Sequence, residues 1–337
     1  MKFCNIRKRK FSVSAAVILL VMVFVLGGCA KENTPGAPSE ESTVNHVSDE
    51  GTAPTHESET NSGNEENQTG EIQAQEQAVY EYTVEELSAK RGDNRIYGVI
   101  YIPQTENPLS EDGGKMPTVI YAHGYGVTHQ NGIQYAEKLA AAGYVVYCFD
   151  FCGGGNGSQS DGSPLEMSIF TEQDDLEAVI DMVRELEYVD ENSVFLFGAS
   201  QGGLVSGITA AENKEKLRGL ILLYPGFEIV EDAKALFPSA EDIPETYSMF
   251  GWMTVGRTYF EDLLDYDPYS VIGAYDKDVL LIHGDSDGIV PLSSSERALE
   301  VYPSAELKIL PGAGHGLSGS SAEQAVQYML EYLQEHK

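Results

Sequence analysis

Val194-Phe195-Leu196-Phe197-Gly198-Ala199-Ser200-Gln201-Gly202-Gly203 runs from four apolar residues, through a serine set between glycines, into a series of small helix formers. It reads as strand, sharp turn and helix, the setting in which G-x-S-x-G presents a nucleophile. The turn is crowded, so a side chain two before or two after Ser200 would collide with neighbouring backbone. The serine hydroxyl is pushed into the open at the carboxyl end of a sheet, where open α/β folds bind ligands. The bland alternative makes Ser200 a helix N-cap. A second match, Gly284-Asp285-Ser286-Asp287-Gly288, also follows a strand. There, acids on both sides of Ser286 would oppose a developing oxyanion.

Outward from this turn, short apolar runs alternate with amphipathic stretches. Strands are expected at 99–102, 118–122, 144–149, 194–197, 220–224, 279–282 and 307–310. Helices are expected at 133–142, 169–187, 202–212, 292–301 and 322–335. Thr171, Glu172, Asp174 and Asp175 load the start of the long second helix, which suits the positive end of its dipole. Such alternation predicts an α/β fold with a mostly parallel sheet and helices on both faces. The stretch 225–277 is too long for an ordinary connection. It holds Trp252, the only tryptophan, with Phe227, Phe237, Tyr247, Phe250, Tyr259, Phe260, Tyr266 and Tyr269. It reads as an inserted cap, whose aromatics either receive an aromatic acyl group or pack the insert onto the sheet.

A serine hydroxyl needs a base, and the base an orienting acid. Among the histidines, His315 lies in the glycine-rich Pro311-Gly312-Ala313-Gly314-His315-Gly316, just after the last strand, where a loop can bring an imidazole over Ser200. His123 and His283 each end a strand as His-Gly and suit turn-shaping and backbone bonding. The acid is expected after strand 279–282, where Asp285 and Asp287 are the candidates. Asp287 is favoured, with Asp285 a turn residue bonding its own loop. The order Ser200, Asp287, His315 is that of the α/β-hydrolases. Two oxyanion donors are expected: the backbone N–H groups of Gln201 and of Tyr125, the latter in His123-Gly124-Tyr125-Gly126 after strand 118–122.

These motifs, with Phe149-Asp150-Phe151, Gly155-Asn156-Gly157-Ser158 and His283-Gly284-Asp285-Ser286-Asp287-Gly288-Ile289-Val290-Pro291, resemble the α/β-hydrolase superfamily over residues 80–335. Within it the chain most resembles bacterial feruloyl and cinnamoyl esterases, which also carry Ser-Gln-Gly-Gly and a compact insert before the acid strand. The resemblance implies nucleophile, acid and base roles for Ser200, Asp287 and His315, and oxyanion donors at Tyr125 and Gln201. It departs at Ala199, where His is common. It departs again at Cys152-Gly153-Gly154-Gly155, where related chains often have Arg-Gly-His-Gly; that affects the shape of the loop. The expected activity is a serine carboxylic ester hydrolase. A peptidase of the prolyl oligopeptidase kind, an acylglycerol lipase and a surface binding protein on a hydrolase scaffold are the other readings.

Composition bounds the rest. The 337 residues carry a formal charge of −32. Lys2, Arg7, Lys8, Arg9 and Lys10 precede the apolar run 11–26, and Leu26-Gly27-Gly28-Cys29 follows it. This is a secretory signal pattern, and it resembles the bacterial lipobox, which implies cleavage before Cys29 and lipid on its thiol. An uncleaved transmembrane anchor is the alternative. Loss of residues 1–28 removes those five positive charges and takes −32 to −37. A body so acidic repels phosphate backbones, so no nucleic-acid partner is expected. Residues 29–78 are polar and acidic and read as a disordered tether, leaving 79–337 as the hydrolase domain. The whole is expected outside the cytoplasm, held to the membrane through Cys29, and acting on a small-molecule or oligosaccharide ester. Cys148 and Cys152 read as buried free thiols, and there is no second cysteine pair for zinc. Neither a dinucleotide fingerprint nor a P-loop occurs, so no cofactor and no metal are expected.

Overall fold

The computed structural model describes residues 79–104 and 114–337. The expected signal, the expected tether and Cys29 lie outside the described residues.

The chain opens with a hairpin, β1 (Glu81–Arg91) and β2 (Asn94–Gln104), turning at Gly92, whose φ is +59°. Then come β3 (Met116–Ala122), α1 (Ile133–Ala141), β4 (Val145–Phe149), α2 (Ile169–Arg184), β5 (Val189–Ala199), α3 (Gln201–Glu212) and β6 (Gly219–Leu223). The cap follows, with α4 (Ile229–Leu236), the hairpin β7 (Thr246–Met249) and β8 (Met253–Gly256), and the short helices α5 (Thr258–Glu261) and α6 (Tyr269–Ile272). β9 (Val279–Gly284), α7 (Leu292–Val301), β10 (Ala305–Leu310) and α8 (Gly319–His336) complete the order.

Eight strands form one sheet in the order β1-β2-β4-β3-β5-β6-β9-β10. From β4 to β10 every pairing is parallel; β1 and β2 are antiparallel to their neighbours. β3, β4, β6 and β9 are buried along their whole lengths, as strands covered on both faces must be. Their side chains alternate between two cores. Val119 and Tyr121 join Tyr135 and Leu139 of α1 and Met329 and Leu333 of α8. Ile120 and Ala122 join Leu176 and Val179 of α2, Leu204 and Ile208 of α3, and the cap.

β1 is absent from the sequence expectations. Its residues EYTVEELSAKR are charged and mostly exposed or half-buried, so no apolar run announces it. Charge is how an edge strand resists pairing with another chain. The start of α2 is fixed by side chains that the sequence pattern leaves open. Ser168 and Thr171 form a capping box, and only Asp174 of the acids is exposed. Glu172 and Asp175 point into the protein. Asp175 accepts from Arg91 Nε at 2.6 Å and from the Cys152 amide at 2.8 Å, which fastens the first hairpin to the body.

Candidate active site

β3, β5, β9 and β10 all end at the same rim of the sheet, and each delivers one piece of the site. β5 delivers Ser200. Its amide bonds Leu223 O at 3.0 Å, and its carbonyl accepts from Gly203 at 2.9 Å and Gly226 at 2.9 Å. This clamp holds Ser200 at φ 55°, a value that β-carbon sterics oppose. The glycines are sterically compulsory. A Cβ on Gly198 would lie 2.3 Å from Gly202 O, and one on Gly202 2.3 Å from Ala122 O. Ser200 precedes α3 but makes no side-chain cap bond.

The hydroxyl turns to the imidazole instead. Ser200 Oγ and His315 Nε2 are 3.1 Å apart, and His315 Nδ1 and Asp287 Oδ2 are 2.8 Å apart. The Asp287 side chain is fully buried. Its other oxygen accepts from the amides of Ile289 at 2.8 Å and Val290 at 2.9 Å, so the carboxylate is oriented before His315 meets it. Asp285 is exposed and turns away. It accepts from the Gly312 amide at 2.7 Å and the Ser286 hydroxyl at 3.1 Å, and so braces the turn that carries His315. His315 is backed by the Tyr224 ring, with centroids 4.5 Å apart.

His123 and His283 are buried and occupied. His123 Nδ1 donates to Gly124 O at 2.8 Å, and Nε2 accepts from the Phe151 amide at 3.0 Å. Burial pushes His123 down to about 4, so it is neutral. His283 Nε2 donates to Val290 O at 3.0 Å, while Nδ1 faces Ser295 Oγ at 2.7 Å; burial lowers it as well.

The oxyanion-side loop approaches closely: a Cβ on Gly124 would stand 3.1 Å from Ser200 Cβ. Among the described residues, the backbone N–H groups of Tyr125 and Gln201 have no acceptor. The loop is held by the glycine-rich segment after β4. Gly126 donates to Gly154 O at 3.1 Å, and a Cβ on Gly155 would come 1.8 Å from Val127 O. The departure at Cys152-Gly153-Gly154-Gly155 therefore serves close backbone pairing. Cys148 and Cys152 are buried free thiols.

A cavity of about 370 Å³ opens over Ser200. Its lining includes Tyr121, Tyr135, Tyr224, Asn131 and Gln134, together with Phe250, Trp252, Ile289 and Leu317. Burial raises the phenols of Tyr121, Tyr135 and Tyr224 in this lining. The cap aromatics thus divide. Phe227, Phe237, Tyr259, Phe260 and Tyr269 are buried in the core. Phe250 and Trp252, 61% and 57% exposed, face the cavity.

Three residues packed around the site are not singled out by the sequence. Tyr224 follows β6 in Tyr-Pro-Gly, a turn signal with no chemistry attached. Glu172 reads only as one of several acids at a helix start. Tyr259 was one aromatic among many, and nothing local distinguishes it.

The sheet order, the cap before β9 and the Ser200 turn at the strand ends define an α/β-hydrolase. Residues 132–337 match the prolyl oligopeptidase family, and the chain belongs to that family. The uncharacterized protein YfhR of Escherichia coli is 26% identical over 257 residues, 74% of this chain and 80% of that one. The monoglyceride lipase of Saccharomyces cerevisiae is 26% identical over 280 residues, 70% of this chain and 87% of the lipase. Among solved structures, Est1E from Butyrivibrio proteoclasticus with ferulic acid bound superposes with a TM-score of 0.65. It does so at 23% identity, over 74% of this chain and 98% of Est1E.

Proposed function

We propose that this protein is a serine esterase that hydrolyses uncharged carboxylic esters with an aromatic or bulky apolar acyl group. The observation that carries the reading is the relay of 3.1 and 2.8 Å from Ser200 through His315 to Asp287, facing an aromatic-lined cavity. His315 Nε2 takes the Ser200 proton as Oγ attacks the carbonyl carbon. Asp287 holds the ring and balances the imidazolium that forms. The tetrahedral oxyanion is met by the N–H groups of Tyr125 and Gln201. His315 then returns the proton to the leaving alcohol, and water releases the acid from Ser200 by the same steps in reverse.

The acyl preference rests on the exposed Phe250 and Trp252 at the cavity mouth. Among the described residues, no lysine, arginine, aspartate or glutamate lines the cavity to counter a charged substrate. The family match favours a second reading, a peptidase, in which His315 protonates a leaving amine. The test compares methyl ferulate, p-nitrophenyl acetate and a prolyl p-nitroanilide on the full chain, with Ser200→Ala as control. Cleavage of both esters, abolished in Ser200→Ala, is the expected result. Cleavage of the anilide alone would replace the esterase with the peptidase. Loss of ferulate cleavage alone would remove the aromatic preference. No Ser200-dependent turnover of any kind would favour a binding protein.

The sequence around Cys29 supports an extracytoplasmic lipoprotein tied to the membrane through that residue. Cys29→Ala is then expected to stay unprocessed or to enter the aqueous phase; normal processing with full membrane retention would sink this placement.

A further inference from the structure

Gln201, the first residue of α3, has a side chain with no access to solvent. A buried amide must satisfy both its ends. Its Nε2 donates to Glu172 Oε2 of α2 at 2.8 Å, and its Oε1 accepts from the Tyr259 hydroxyl of cap helix α5 at 2.6 Å. Tyr125, the other expected oxyanion donor, is tied the same way. Its hydroxyl donates to Met253 O at 2.9 Å, and its ring meets that of Tyr259 edge-on, centroids 6.0 Å apart. Both residues flanking the oxyanion position therefore end on one short cap segment, 253–259.

We propose that Tyr259 and Glu172 are positioning residues, which hold the oxyanion hole in place through the Gln201 side chain and make the cap part of the catalytic machinery. The proposal rests on the Ser200 acyl-enzyme reading.

Glu172 fits this use better than a packing role. It is 1% exposed, and no cation contributes to its environment. Burial pushes its carboxyl well above the ordinary range. Its Oε1 has no partner among the described residues. A leucine would fill such a place without that desolvation penalty. What a leucine cannot supply is an acceptor for the Gln201 amide. Substrate that leans on the Phe250–Trp252 hairpin also leans on the segment that positions the donors.

Negative charge reaches its maximum on the substrate oxygen only in the transition state, so slack in the donors lowers kcat more than it alters KM. The test uses the full chain on p-nitrophenyl acetate, with kcat, KM and melting temperature measured together. Removing a donor outright costs about 100- to 1000-fold, so loosening one is expected to lower kcat about tenfold in Tyr259→Phe and Glu172→Ala, with KM within about twofold. Glu172→Gln, which keeps an acceptor for Gln201, recovers most of the Glu172→Ala loss. Wild-type kcat in Tyr259→Phe beside an inactive Ser200→Ala overturns the proposal and leaves the acyl-enzyme intact. A lowered melting temperature with unchanged kcat overturns it likewise, since that is plain packing. Full activity in Ser200→Ala takes down both.

Discussion

Among the described residues, three that are not glycine have positive φ: Ser200 at 55°, Tyr224 at 38° and Phe250 at 54°. All three line the same cavity. Each such residue stores on the order of 1–3 kcal/mol of strain, held only where the surroundings insist. For Ser200 the strain lifts the hydroxyl clear of its strand. For Tyr224 the gain is its ring, which the bent backbone sets against His315. The Tyr224 amide is fixed to Ile282 O at 2.8 Å. In the proposed mechanism an aromatic ring so placed favours the imidazolium formed during attack, by about 0.5–2 kcal/mol. Tyr224→Leu is accordingly expected to lower kcat/KM on p-nitrophenyl acetate about 3- to 30-fold, whereas Tyr224→Phe stays near wild type. Equal losses in both variants would shift the role from the ring to the hydroxyl.

The hairpin β7–β8 carries another of these strained residues, Phe250, to the cavity. Trp252 N bonds Met249 O at 3.1 Å, and Phe250 and Gly251 between them both have positive φ, 54° and 68°. This is the turn for which Asn-Gly is the preferred pair, because Asn tolerates the left-handed region. A phenylalanine there costs stability and leaves its ring exposed at the cavity mouth. Phe250→Asn is thus expected to raise the melting temperature by a degree or more, from about 0.5–1 kcal/mol. The same change should raise KM for methyl ferulate about threefold or more while sparing p-nitrophenyl acetate, since aromatic pairs contribute about 0.5–1.5 kcal/mol. A fall in melting temperature with no change in KM would mean that Phe250 packs rather than binds.

For the whole molecule, burial disfavours the charged form of two groups near the site, His123 and Glu172. Their linkage signs oppose each other. Below about pH 6.5 the unfolded chain protonates its histidine while folded His123 resists until about 4, so stability drains away as pH falls through that window. Above about pH 4.3 the unfolded chain ionises its glutamate while folded Glu172 stays protonated, so stability drains away as pH rises. Glu172→Gln removes only the second effect. Urea midpoints at pH 4, 5.5 and 7 should show the variant gaining on the wild type as pH rises; a constant gap would mean that Glu172 is ionised in the folded protein.

Much of this protein is legible along the chain. Strands buried on both faces must be continuously apolar, so β3, β4, β6 and β9 announce themselves, and the parallel sheet follows from their alternation with helices. The Ser200 turn is equally local, because steric crowding leaves no other residue at Gly198 and Gly202; around His315, Gly312 and Gly316 serve turns at φ 73° and 80°. Other features required the folded chain. The charged edge strand β1 has no buried face to mark it. Asp285 and Asp287 are two residues apart with the same chemistry, and the direction each points is set by partners such as the Gly312 amide and His315. Glu172, Gln201 and Tyr259 come from three separate elements; their contact depends on how α2 and the cap pack over the nucleophile turn, and no spacing in the sequence encodes a distance of that kind.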